Sequence, residues 1–219
     1  ADDEGDVFRP HAGFEQAVLE RIVQDIRSRA NQQTTGDIGF WYLLQALARN
    51  GRSDVIYDMT ARTDIGSYGF IVRNGWTSMP EAWDADTGAS MNHCMLGHIQ
   101  EWFLGWVGGI RPDVESPGFR RFVVDPHPVG DLTWARASYD SIRGPIRSEW
   151  RKSGEVFTLK TTIPPGATAT VCIPAGKAAD VTESGIPVSQ AAGVRLLGEA
   201  SGRVRFLVES GVYEFAYGR

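Results

Sequence analysis

Cysteine and histidine are scarce in this 219-residue sequence, with two of the first and four of the second. Cys94 and Cys172 fall in segments of different character, and no Cys-x-x-Cys spacing occurs. They are expected to be free thiols rather than half of a zinc site or a disulfide framework. No apolar run approaches the roughly 18 residues of a membrane span. The leading ADDEGDVFRP is acidic and lacks the apolar stretch of a signal peptide. Basic runs are also missing: 22 Lys and Arg stand against 27 Asp and Glu, for a net charge of −5. Neither nucleic acid nor an anionic membrane surface is therefore an expected partner. No internal repeat is visible, although helix–loop–helix pairs in the first half suit units of a helical barrel. What is present is an ordinary globular composition, 42% hydrophobic and 22% charged, enough for one large domain or two small ones.

The two halves differ in period. Phe14, Val18, Ile22 and Ile26 recur every four residues and predict an amphipathic helix over about 13–30. A second helix is predicted at about 37–49, with Leu43, Leu44 and Leu47 as its apolar stripe and Asn50-Gly51 as its stop. A short third, about 53–62, follows. After an irregular stretch over 63–89, Ser90 is a candidate N-cap for a fourth helix over about 91–107. Its predicted apolar face is Met95, Ile99, Phe103 and Trp106, and Gly108-Gly109 ends it. Beyond Arg111-Pro112 the pattern becomes one of short alternating or β-branched runs. They lie at 119–126, 132–139, 146–151, 156–163, 169–173, 194–198, 204–210 and 212–217, punctuated by Gly and Pro. That spacing predicts an antiparallel sandwich. The switch from helices to strands is expected near 110–117.

The irregular stretch contains NGWTSMPEAWDADTGASMNH, residues 74–93. Glu81 lies between Trp76 and Trp83. Flat rings cover the apolar face of a sugar, and carboxylates do proton work at a glycosidic oxygen or on water. The competing reading makes both tryptophans core anchors and Glu81 a solvated loop residue. His93 has three functional readings: it orients a hydroxyl, acts as a base, or binds a metal. The other reading is a hydrogen-bonded structural imidazole. His98 is five residues further on, the wrong spacing for a helical metal pair. Asp84 and Asp86 are near enough to be a second carboxylate, but Asp-Ala-Asp-Thr-Gly reads better as a turn. Trp102 and Trp106, four residues apart, are expected to pack in a core, Trp106 in particular.

Taken together, three segments resemble the end of the catalytic domain of glycoside hydrolase family 78, the α-L-rhamnosidases. They are TTGDIGFWYLLQALARNGRSDVIYDMTARTDIGSYGFIVRNG, WTSMPEAWD and SMNHCMLGHIQEWFLGWVGGI. The family shows a TG-x-x-G helix start, a PSWGYM-like stretch, a GATT-x-WE-x-W element, and SMNH followed by a closing GI. Order and spacing agree over about a third of the chain. The strand-rich tail also resembles the family's C-terminal sandwich.

The resemblance implies a multidomain α and β architecture. Residues 1–112 would be the last helices of an (α/α)6 barrel, and residues 113–219 an antiparallel β-sandwich. It implies inverting hydrolysis of terminal α-L-rhamnosides, with a rhamnose-containing glycan or glycoside as partner and no cofactor. The family's general base falls on Glu81 and its pocket histidine on His93. Trp76, Trp83 and Tyr68 become candidate sugar contacts. Three departures bear on sugar specificity. Pro80 stands where the family has tryptophan before the glutamate, GWTS replaces GATT, and Tyr68 replaces the tryptophan of SWGYM. The family's general acid lies upstream, and Asp2, Asp3, Glu4 and Asp6 do not reproduce its motif. A full barrel needs about twelve helices of roughly 11–12 residues, and about four are predicted here. The chain is thus expected to be the C-terminal piece of a longer enzyme, inactive alone, with the rest of the polypeptide needed to complete its barrel. Two other functions compete with this one. The first is a carbohydrate-binding module, which the strand positions of Trp134 and Trp150 argue against because they suit a core. The second is a six-hairpin glycosidase or lyase acting on another sugar.

Overall fold

The computed structural model describes residues 13–84 and 89–218. The acidic start, Asp2, Asp3, Glu4 and Asp6, and the turn residue Asp86 therefore lie outside the described residues. The chain forms two compact units, one within residues 1–99 and the other within 100–219.

The first unit is helical. Helices α1 (Glu15–Ser28), α2 (Asp37–Arg49) and α3 (Ser53–Thr60) form where the period predicts them. The buried stripe of α1 is Leu19, Val23 and Ile26, while Phe14 and Val18 are exposed. A strict four-residue spacing rotates about 40° further per step around a helix of 3.6 residues per turn. The expected stripe therefore leaves the core, and mixed steps of four and three stay on it. On α2 the buried residues are Phe40, Leu44 and Leu47. The predicted stop holds: Gly51, at φ +72°, follows the Asn50 C-cap, and Arg52 N–H returns to the Leu47 carbonyl at 2.8 Å. Arg27 of α1 pairs with Asp54 and Asp58 on α3, exposed contacts that contribute little each.

The stretch over 63–89 is less irregular than its composition suggests. It contains a fourth helix, α4 (Tyr68–Arg73). Ser67 caps it, accepting the Phe70 N–H at 3.2 Å and donating to the Asp64 carbonyl at 2.6 Å. Gly69 lets α4 press on the preceding chain, since a Cβ there would lie 2.3 Å from the Arg62 carbonyl oxygen.

The helix expected over 91–107 is not continuous, and Ser90 does not cap it. Backbone groups of Ser90, Met91 and His93 are spent on the cross-loop bonds described below. Winding begins only at a 3-10 turn, Met95–His98, followed by α5 (Ile99–Trp102) and a π-helical turn, Phe103–Val107. These segments change the angular step between residues, so the apolar face also differs from expectation. Leu96, Ile99 and Trp102 are buried, whereas Phe103 is exposed. Trp106 is half-buried, with the Arg111 guanidinium 4.2 Å above its ring.

In the second unit the strands are β1 (Ile110–Pro112), β2 (Arg121–Val124), β3 (Trp134–Ser141), β4 (Gly144–Ser153), β5 (Val156–Ile163), β6 (Thr168–Ile173), β7 (Val181–Glu183), β8 (Ile186–Pro187), β9 (Val194–Ala200), β10 (Arg203–Val208) and β11 (Gly211–Tyr217). They make two sheets, ordered β1-β2-β6-β10-β9 and β3-β4-β5-β11-β7-β8. Among the described residues every pairing is antiparallel except β2 with β6, which is parallel. That exception follows from the chain leaving β2, building β3–β5 in the other sheet, and returning. Alternation puts Ile146, Trp150, Phe157, Leu159 and Phe215 inward from one sheet, and Phe122, Val171, Val204 and Phe206 from the other. The stacked rings of Phe206 and Phe215, 5.9 Å apart, join the two faces. Each such buried side chain contributes about 1.5–3 kcal/mol. Trp150 is fully buried and its indole N–H donates to the Val107 carbonyl at 2.7 Å. Trp134 does not share that core. It is 58% exposed, because it falls on the opposite phase of β3 from Ala135, the residue that pairs with Trp150.

A polar anchor lies inside this unit. Asp125, 8% exposed, receives Arg111 at 2.6 Å, His127 Nε2 at 3.0 Å, and Arg203. Burial alone would raise its carboxyl, but the His127 hydrogen bond and the charges of Arg203 and Arg111 outweigh it. The carboxyl is held well below the usual carboxylate range.

Candidate functional site

Residues 78–84 and 89–93 lie against each other. The Glu81 N–H donates to the Ser90 carbonyl and the His93 N–H to the Met79 carbonyl, each at 2.8 Å. The Ser78 hydroxyl donates to the Met91 carbonyl. A further bond comes from the catalytic candidate itself: Glu81 Oε2 accepts the Ser90 N–H at 3.1 Å. Glu81 and His93 therefore stand on facing arms of one hairpin-like loop. The Glu81 side chain is exposed, with one oxygen fixed by the backbone. Asp84, the nearer of the two turn aspartates, is also exposed.

Two anchors tie this loop to the start of α2. The Trp83 indole N–H donates to the Thr35 carbonyl at 2.9 Å. The His93 imidazole lies with Nε2 3.9 Å from Asp37 Oδ2. Asp37 is a site neighbour that the sequence reading missed. Its one visible signal there is an acid in the first turn of a helix, which by itself indicates only helix capping.

The aromatic candidates divide by environment. Trp83 is half-buried and meets Phe40 and Tyr68 edge-on, each ring centroid 5.2 Å away. Tyr68 is buried, and its hydroxyl donates to the Leu96 carbonyl. Burial pushes its ionisation well above the usual tyrosine range. Trp76 is half-buried beside Phe70, 5.7 Å away and edge-on. The structure thus brings Trp83 and Tyr68 together as one aromatic cluster and sets the Trp76 ring against Phe70 of α4. Among the described residues no group of three or more His, Cys, Asp or Glu side chains could hold a metal ion. Nor is any helix among them long and apolar enough to cross a membrane. Chemically, the loop offers an oriented, solvent-open carboxylate, an imidazole on the facing arm, and an aromatic base. This is a set suited to proton transfer.

Comparison with known proteins bears on this set. Residues 7–107 match the model of the bacterial α-L-rhamnosidase six-hairpin glycosidase domain, and residues 109–200 that of the bacterial α-L-rhamnosidase C-terminal domain. An α-L-rhamnosidase of Streptomyces avermitilis is 34% identical over 168 residues, covering 73% of this chain and 16% of its own length. One from Formosa agariphila is 24% identical over 205 residues, covering 90% of this chain and 22% of its own. Among solved structures, the Streptomyces avermitilis α-L-rhamnosidase complexed with L-rhamnose matches with a TM-score of 0.84 at 30% identity, over 93% of this chain and 20% of that one. The α-L-rhamnosidase of Dictyoglumus thermophilum matches with a TM-score of 0.80 at 27% identity, over 93% and 23%. The chain spans about a fifth of the length of these relatives, 16% to 23%.

Proposed function

The chain belongs to the bacterial α-L-rhamnosidase family, and from that premise we propose that it carries the water-activating half of an inverting glycoside hydrolase. The substrate is a glycan or glycoside ending in α-L-rhamnose. Glu81 takes a proton from water as that water attacks the anomeric carbon. The glycosidic C–O bond breaks, and a general acid upstream of this chain protonates the leaving oxygen. An inverting pair stands roughly 6.5–9.5 Å apart to admit the water. His93 meets a sugar hydroxyl. Trp76 presents a ring to the apolar face of the sugar, while Trp83 and Tyr68 support the pocket wall from behind.

The observation that carries this reading is the double pairing of Glu81 with Ser90. A carboxylate that is exposed to water yet fixed through Oε2 is oriented before substrate arrives, which is what a general base requires. The family membership supports the sugar and the reaction class. The test is the anomer first released when the full-length enzyme hydrolyses p-nitrophenyl α-L-rhamnoside, followed by proton NMR. Initial β-L-rhamnose agrees with inversion. Initial α-L-rhamnose overturns the water-activating role, and no turnover overturns the sugar assignment.

A further inference from the structure

The carboxylate of Asp37 has two oxygens with different tasks. Oδ1 accepts the N–H of the next residue, Ile38, at 2.7 Å. Oδ2 faces the imidazole of His93, 3.9 Å from Nε2. Asp37 opens α2, where the unpaired N–H groups of a helix favour negative charge. His93 Nδ1, on the other side of the ring, is buried and has no hydrogen-bond partner among the described residues. Asp37 is thus a charged group that faces the open side of the ring. Thr35, two residues earlier, accepts the Trp83 indole N–H at 2.9 Å. Thr35, just before α2, and Asp37, its first residue, therefore meet two residues of the site loop, 48 and 56 positions away in sequence.

We infer that Asp37 is a positioning residue for sugar binding: its carboxylate, anchored by the Ile38 N–H, orients the His93 imidazole toward a rhamnose hydroxyl. It touches neither substrate nor reacting atoms. The inference rests on the reading of His93 as a sugar contact. At 3.9 Å the contact is electrostatic rather than a hydrogen bond, so Nε2 keeps its hydrogen-bonding capacity for the sugar hydroxyl.

The test is a double-mutant cycle in the full-length enzyme, read as L-rhamnose affinity by calorimetry together with kcat and KM on an aryl rhamnoside. Asp37→Asn keeps the size of the side chain and an acceptor for Ile38 N–H, so the helix start survives; an unchanged melting temperature checks this. Asp37→Asn is expected to weaken L-rhamnose binding about threefold to tenfold and raise KM more than it lowers kcat. In the His93→Ala background the same substitution is expected to change nothing. An equal loss in both backgrounds, or no loss in either, overturns the positioning role. If His93→Ala alone binds L-rhamnose like wild type, the sugar-contact reading itself has failed and the inference falls with it.

Discussion

Glu81 and Ser90 are bonded to each other twice, once through the Glu81 N–H to the Ser90 carbonyl at 2.8 Å and once through the Ser90 N–H to Glu81 Oε2 at 3.1 Å. The pair closes a loop whose facing arm carries His93. It also explains why the next helix starts late, because backbone used across the loop is not available for helical bonds.

The pair Gly108-Gly109 does more than end a helix. At Gly109, with φ +83°, a Cβ would lie 2.4 Å from the Pro126 nitrogen. The Asp125 N–H to the Gly109 carbonyl, at 2.8 Å, holds the two segments together. Gly109→Ala is expected to destabilise the strand-rich unit by at least about 1–3 kcal/mol, read as a lowered denaturation midpoint. An unchanged midpoint would mean that the segment moves aside freely.

Trp150 is the largest fully buried side chain of the sandwich, and its N–H is satisfied by Val107. Trp150→Ala is expected to cost about 3–5 kcal/mol, with Trp150→Phe costing less because only the hydrogen bond and part of the volume are lost. Chemical denaturation of the two variants separates these contributions.

How much of this was legible without coordinates differs by element. Strand β5 matches the 156–163 run residue for residue, because its β-branched residues and the alternation of Phe157, Leu159 and Ile163 suit a half-buried strand. Helix α2 matches 37–49, because it has a clear stripe and an Asn-Gly stop. Helix α4 and strands β7 and β8 are only six, three and two residues long, too short to show a period. The interrupted winding after Ser90 depends on pairing with Met79 and Glu81, which no local pattern reveals. In the site, Glu81 and His93 were ambiguous from spacing and became specific only through the motif resemblance. Asp37 needed the fold, since it faces a residue 56 positions away. The Asp125 anchor likewise gathers residues from three separate stretches.

The anchor makes a prediction in acid. The Asp125 carboxyl is lowered in the fold, so its contribution is fully present above the unfolded value of about 3.9. It is lost as pH falls from there toward the lowered folded value. Asp125→Asn is expected to cost about 3 kcal/mol at neutral pH, because Arg111 and Arg203 lose their counter-charge. The difference from wild type should shrink as pH falls below about 4. Melting temperatures of both proteins across that range check the sign, and a gap that widens in acid would contradict it.

The two thiols should differ in reactivity. Cys94 is exposed and Cys172 buried. Burial, with the nearby Asp125 charge, pushes the Cys172 thiol up to about 12. A maleimide added to native protein is expected to label Cys94, and to label Cys172 only after denaturation. Peptide mapping by mass spectrometry reads both sites.

The most direct test of the account is the turnover of an aryl α-L-rhamnoside by full-length enzyme carrying Glu81→Gln. The amide keeps the shape of the side chain but cannot take a proton from water. The account predicts a fall in kcat of about 10²–10⁴, with KM and melting temperature close to wild type. A kcat within about tenfold of wild type would contradict the assignment of Glu81 as the base.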